Sequence, residues 1–262
     1  MNRGQKAVPA IERAIRILEA LARSQRGLTL SEIGRRFGIP KSSTHHILGT
    51  LESFGYLHKH ELTRRYRLGL RFISLSRHAI EGLGIREEAR PALLKLCRRA
   101  GLAVHLAVLD GDEAVIVEKI ESLGATRVAS WMGRRLALNC TALGKSLIAY
   151  LPEEEIEIRF RRRGAVRHNQ RTIAAVRRLR EELALVRRRG YAVDDEEDEI
   201  GIRCLGAPVF GRDGKTVAAI SVAGSAQEIP RSRFEKLGWA VQQAAREISQ
   251  RLKDLPHPDP VQ

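Results

Sequence analysis

Apolar residues recur along the first fifty positions at the three- and four-residue intervals of a helix with one buried stripe. From Pro9 onward, Ala10, Ile11, Ala14, Ile15, Leu18 and Leu21 form the first such series, with Pro9 suited to the first turn and Gly27 past the end. Leu30, Ile33 and Phe37 form the second. Thr29 and Glu32 open it in the order of a capping box, and Gly38 closes it. After Ile39-Pro40 a third series, Thr44, Ile47, Leu48, Leu51 and Phe54, predicts a helix with those five side chains toward a core. Two short helices joined by a tight glycine-containing turn make a helix-turn-helix pattern.

The other face of the third helix carries Lys41, Ser42, Ser43, His45, His46, Gly49 and Thr50. These residues are small, basic or hydrogen-bonding, and they crowd the first turns, where a recognition helix meets base edges. Beyond Gly55, Tyr56 and Leu57, then a polar tip, then Tyr66 and Leu68 predict a two-stranded hairpin. Its Lys59, Arg64, Arg65 and Arg67 suit phosphate contacts. A plain helical hairpin would also give two amphipathic helices around a glycine. It would not explain the capping box, the polar helix start and the basic hairpin arriving in that order. Lys41, Ser42, Ser43, His45, His46, Thr50, Arg64 and Arg65 are therefore the expected contacts to double-stranded DNA.

From Leu70 to Leu83 the helical period returns, with Leu70, Ile73, Ala79, Ile80 and Leu83, which predicts a linker and dimer-forming helix. A second domain then begins. Residues 86–100 read as a helix with Ala89, Leu93, Leu96 and Cys97 on one face. Beyond it the period shortens to that of strands. Ala103–Leu109 and Ala114–Ile120 flank Asp110-Gly111-Asp112 as a hairpin. Arg127–Trp131 and Arg135–Leu138 read as further strands around Gly133. Thr141 is expected to cap a helix through Tyr150, and Thr172 a helix through Ile173, Val176, Leu179, Leu183 and Val186 that stops at Gly190. Leu205–Phe210 and Thr216–Ala223 read as a second hairpin. Ser232 and Glu235 read as a capping box ahead of a long helix through Phe234, Leu237, Val241, Ala245, Ile248 and Leu252. Pro256–Pro260 reads as a disordered tail. This order predicts an α+β domain with an antiparallel sheet.

A formal charge of +15 on 262 residues favours a polyanionic partner. The chain shows no apolar run long enough for a bilayer and no signal peptide, so a cytoplasmic protein without a membrane partner is expected. Three widely spaced cysteines, Cys97, Cys140 and Cys204, fit reduced thiols there. Positive charge gathers again between Arg159 and Arg189, and the acidic run Asp194–Glu199 follows; both read mainly as solvated surface. Gly214-Lys-Thr is a turn, since Val209 stands where a phosphate loop needs glycine. No catalytic motif, metal-ligand spacing or cofactor motif emerges. His105 in its strand reads as a core or surface residue, and His45 with His46 point around different sides of a helix and cannot chelate one ion. At Cys140–Ser146 a helix starts after a strand, so the N–H groups of Ala142, Leu143 and Gly144 offer an anion pocket.

The stretches LTLSEIGRRFGIPKSSTHHILGTLESFGYL, RRYRLGLRFISL, LNCTALGKSLIAYL and GYAVDDEEDEIGIRCLGAPVFGRDGKTVAAISVAG, in that order, resemble the IclR family of bacterial transcriptional regulators over nearly the whole chain. The resemblance implies a winged helix-turn-helix domain at 9–69, a linker helix at 70–85 and a GAF/PAS-like α+β effector domain at 86–254, with flexible tails at 1–8 and 255–262. It implies dimers, or dimers paired into tetramers, on palindromic operator DNA, with a small organic or aromatic acid as effector and no catalytic activity. Carried over residue by residue, the effector pocket falls on backbone donors at Ala142 and Leu143, on polar Asp194, Cys204 and Ser221, and on apolar Val128, Leu136 and Ile202. Two departures stand out. Ala223 replaces a serine found in some organic-acid sensors, and His46 replaces an arginine found in many members. A carboxylate at Asp194 facing an anionic ligand implies an effector that also brings a hydroxyl or enol. The competing expectations are a ligand-independent architectural DNA-binding protein and an enzyme with an N-terminal interaction module.

Overall fold

The computed structural model describes residues 8–164 and 166–254; the tails expected at either end fall largely outside them. The chain divides into two compact units, Met1–Ala79 and Ile80–Gln262.

In the first unit α1 (Pro9–Ala22) is followed by β1 (Leu28–Thr29), α2 (Leu30–Phe37) and α3 (Lys41–Ser53). Then come β2 (Leu57–Lys59), β3 (Arg65–Leu68) and the start of α4 (Arg71–Glu81), within which the division between the units falls. The core joins Ile17 and Leu21 of α1, Ile33 of α2, Ile39, Leu48 of α3, Leu57 and Tyr66. The wing is a three-stranded sheet in the order β1-β3-β2, not the bare hairpin expected. Two residues of β1 carry too little pattern to register as a strand, yet Leu28 pairs with Tyr66 and Thr29 with Arg65. Two apolar expectations fail here. Phe54 is 69% exposed, and Ile11 and Ile15 of α1 are exposed as well, because the small core meets that helix only from Ile17 onward, at Ile17, Leu18, Ala20 and Leu21.

In the second unit α5 (Ile85–Ala100) leads into β4 (Ala103–Asp110), β5 (Glu113–Ile120) and the short β6 (Arg135–Leu136). Next come α6 (Ala142–Ile148), α7 (Glu153–Arg163), α8 (Val176–Arg189), β7 (Ala192–Asp195), β8 (Ile202–Phe210), β9 (Thr216–Ser225) and α9 (Phe234–Asp254). The strands form one antiparallel sheet in the order β6-β5-β4-β9-β8-β7. On one face Val104, Leu106 and Val108 pack with Leu93 and Leu96 of α5 and Val241 and Ile248 of α9. On the other, Ala107, Ile116 and Ala219 pack with Leu143 and Leu147 of α6 and Leu179 and Leu183 of α8.

Several local expectations are corrected. Residues 127–131 form no strand, and the second expected strand shrinks to β6. Thr172 does not cap α8; its hydroxyl accepts from the His168 and Asn169 N–H groups and donates to the Glu197 carbonyl, and the helix starts at Val176. Ser232 lies in a 3₁₀ turn, Arg231–Arg233, that runs straight into α9, so no capping box forms. Most of the acidic run is withdrawn from solvent, with Glu199 alone of its six residues exposed. Asp194, Glu196 and Glu197 are buried, and Arg171 and Arg203 hold Glu196 while Lys145 holds Glu197. Within the arginine-rich region, Arg159 pairs with Glu155 and Arg180 with Glu157. No helix among the described residues is long and apolar enough to cross a membrane.

Candidate nucleic-acid interface and effector cavity

The approach of α3 to α2 sets the first site. Gly38 adopts φ 63°, which ends α2 in a left-handed cap. The capping box at its other end is complete: Glu32 accepts from the Thr29 N–H at 2.7 Å, and Thr29 Oγ1 accepts from the Glu32 N–H. Thr44 is fully buried, and its hydroxyl donates toward the Ile39 and Pro40 carbonyls at 3.3 and 3.0 Å, tying the turn to the helix it precedes. With Thr44 and Leu48 seated inward, Lys41, Ser42, His45, His46, Gly49 and Thr50 are left exposed and Ser43 half-buried. Pro40 gives no side-chain cap, so the N–H groups opening α3 remain donors for an oxygen anion. The Thr50 hydroxyl is already engaged, donating to the His46 carbonyl at 2.9 Å.

The two wing arginines differ. Arg64 is exposed, at φ 55°, where the wing turns. Arg65 folds back: its guanidinium donates to both Glu32 carboxylate oxygens at 3.1 and 3.2 Å and to the Gly27 carbonyl at 2.8 Å. Arg65 thus locks the wing to α2, a role its place in a basic hairpin does not reveal. Arg35 and Arg36, exposed in the last turn of α2, add positive charge that the expected contact set omitted.

The second site arises from cross-strand rows of the sheet. One row runs Asp194, Cys204, Ala223, Ala103 across β7, β8, β9 and β4; the next runs Ala192, Gly206, Ser221, His105. A Cβ on Gly206 would stand 2.9 Å from the Ala142 carbonyl oxygen, and one on Gly144 would stand 2.4 Å from that of Ala137. These two glycines let the start of α6 settle onto the sheet and the preceding turn. Between sheet and helix lies a small cavity that opens to solvent. All eight residues expected for the effector pocket line it: Val128, Leu136, Ala142, Leu143, Asp194, Ile202, Cys204 and Ser221. Ala223, the departure already noted, lines it too. Thr141 caps α6 by accepting from the Gly144 N–H at 3.0 Å, so that donor is spent, and only the Ala142 and Leu143 N–H groups of the expected three remain.

Sequence reasoning missed His105, Ser130, Arg134, Asp198 and Glu199, which share the lining. His105 Nε2 lies 2.8 Å from Ser130 Oγ. Burial, then the positive charges of Lys119 and Arg134, push its pKa down to about 4. One signal was present: His105 shares the strand face of Ala103 and Ala107, a lone polar side chain at alternate apolar positions. Burial also raises the Asp194 carboxyl well above its usual range, although Lys145 opposes this, and the carboxylate accepts from the Glu197 N–H at 2.8 Å. The Cys204 thiol is raised chiefly by burial as well. Arg134 extends over the Trp131 ring, 5.5 Å from its centroid, and approaches Asp198 at 3.5 Å.

Comparison with known proteins matches both units. The family model for the IclR helix-turn-helix domain covers residues 10–61, and that for the bacterial transcriptional regulator IclR C-terminal domain covers residues 77–250. The chain is 33% identical over 245 residues to the HTH-type transcriptional regulator XynR of Escherichia coli K12, spanning 94% of this chain and 97% of that one. To the transcriptional repressor IclR of the same organism it is 29% identical over 244 residues, spanning 92% and 89%. Among solved structures, an IclR homolog from Microbacterium hydrocarbonoxydans complexed with 4-hydroxybenzoate superposes with a TM-score of 0.80. At 24% identity, over 94% of this chain and all of that one, the likeness is one of fold.

Proposed function

The chain belongs to the IclR family of bacterial transcriptional regulators, and from that membership we propose that it is a cytoplasmic repressor whose grip on operator DNA responds to a small organic acid. The observation that carries the DNA half is the exposed row Lys41, Ser42, His45, His46 at the start of α3, seated by buried Thr44 and Leu48. Two copies of α3, one from each subunit of a dimer, enter successive major grooves about one helical turn apart, so the operator is palindromic. His45 and His46 read base edges, while Arg64 and the N–H groups opening α3 hold phosphates. Footprinting of the purified full chain across its genome tests this. Protected sites should share an inverted repeat and lie upstream of genes; scattered protection without a shared sequence overturns it.

The effector half rests on the chemistry of the cavity lining. Ile116, Val128, Leu136 and Ile202 supply apolar walls. Arg134 is the permanent cation among the lining residues and takes the ligand carboxylate, while Ser221 and Asp194 take a hydroxyl or enol. A hydroxylated aromatic or short aliphatic acid meets both demands. Binding shifts the equilibrium between operator-competent and incompetent arrangements by its differential affinity for them. Titration calorimetry against hydroxy, keto and aromatic acids, each beside its methyl ester, should show binding of the acids. Binding of the esters alone contradicts the assignment.

A further inference from the structure

Three side chains far apart in sequence meet at the edge of the effector cavity: Cys140 just before α6, His168 in the loop before α8, and Asp198 after β7. Their ligand atoms lie within 4.8 Å of one another, with Asp198 Oδ1 at 3.9 Å from Cys140 Sγ and 3.3 Å from His168 Nε2. Around a tetrahedral zinc ion, bonds of ~2.3 Å to sulfur and ~2.0 Å to nitrogen and oxygen place the ligand atoms roughly 3.3–3.6 Å apart. The two separations from Asp198 are therefore within a few tenths of an ångström of that arrangement, and Cys140 and His168, at most 4.8 Å apart, need only close around the ion. We propose that Cys140, His168 and Asp198 bind a divalent cation of the zinc class, with a fourth position left for water or a ligand oxygen.

The surroundings hold the trio in place before any ion arrives. Asn139, next to Cys140, donates to the Val166 and Ile173 carbonyls at 3.2 and 2.7 Å, fixing both ends of the loop that carries His168. The His168 N–H donates to Thr172 Oγ1, and Asn169 Nδ2 donates to the Glu196 and Glu197 carbonyls, stitching that loop to the segment carrying Asp198. The Asp198 N–H in turn reaches Asp194 Oδ1 at 3.4 Å. Such outer contacts orient metal ligands and set their affinity. Mixed sulfur, nitrogen and oxygen donors favour zinc over magnesium or calcium, which take oxygen. On binding, the Cys140 S–H bond breaks, the thiolate pair goes to the metal, and one proton per ion leaves to solvent, with neutral His168 Nε2 and the Asp198 carboxylate as the other donors. No sequence motif shows this site, since 28 and 30 residues separate its members.

The site shares Asp198 with the effector cavity, but metal binding can be read without DNA or an organic acid, and cobalt(II) is its probe. Tag-free, chelator-stripped full chain is titrated with cobalt and followed by absorption. The expected result is a sulfur-to-cobalt charge-transfer band with strong visible bands, saturating at one ion per chain and displaced by zinc. Cys140→Ser should abolish the charge-transfer band while Cys204→Ser keeps it. His168→Ala, at an exposed position where folding is not at stake, should weaken cobalt binding at least ten-fold. A folded wild-type chain without the band, a band that survives Cys140→Ser, or unchanged affinity in His168→Ala overturns the proposal.

Discussion

His105 makes the stability of the second unit depend on pH in a calculable way. The side chain is 3% exposed and uncharged in the fold. Moving its pKa from the ordinary 6.5 to about 4, at ~1.4 kcal/mol per factor of ten, corresponds to about 3 kcal/mol. Because the folded value lies below the unfolded one, this stability is present above pH 6.5 and lost as pH falls toward 4. Between pH 7.5 and pH 5 about 2 kcal/mol of it should disappear. Asp194 acts in the opposite sense, since its raised pKa makes stability grow as pH falls. The raw pH curve therefore mixes both, and the informative quantity is the difference between the wild type and His105→Gln, which keeps a hydrogen-bonding partner for Ser130. Urea unfolding followed by tryptophan fluorescence isolates the right unit, because Trp131 and Trp239 both lie within Ile80–Gln262. The wild type should lose about 2 kcal/mol more than the variant between those pH values. Parallel curves for the two proteins refute the reasoning.

Two further outcomes follow from the packing. Lys145 is fully buried, with its ammonium 2.5 Å from Glu197 Oε1 and bonded to the Val193 carbonyl, so Lys145→Met should cost about 3–5 kcal/mol in urea melts. Lys145→Met/Glu197→Leu should recover part of that loss, and a single variant as stable as the wild type contradicts the assignment. Arg64→Ala should lower the salt slope of DNA binding by about one without changing stability. Arg65→Ala should instead lower the melting temperature of the first unit, because it breaks the bonds to Glu32 and Gly27; equal effects of the two would erase the distinction.

What the sequence discloses follows from how local each signal is. The α2–α3 pair is legible because Thr29, Glu32 and Gly38 act within one or two turns and the apolar series is regular. The Glu153–Arg163 helix escapes notice because charged residues surround the buried Ile156, and β7 hides in a run that reads as acid on the surface. The same limit divides the cavity. Its eight expected residues came through family resemblance, whereas His105 reaches it through register. That side chain stands beside Ser221 only because β4 pairs with β9 across more than a hundred residues. Cys140, His168 and Asp198 are hidden for the same reason, as tertiary contacts between loops leave no periodicity. Arg65 shows the converse error, since its place in the wing is legible but its partner is not.

The central claim is that the polar opening of α3 recognises a particular duplex. Binding of the purified chain to its own upstream region and to a scrambled duplex of equal composition, across a salt series, tests it most directly, with His45→Ala/His46→Ala alongside. The account predicts a preference for the native duplex, affinity falling steeply with salt, and loss of the preference, with salt-dependent binding retained, in the double variant. Equal affinity of the wild type for both duplexes would contradict it.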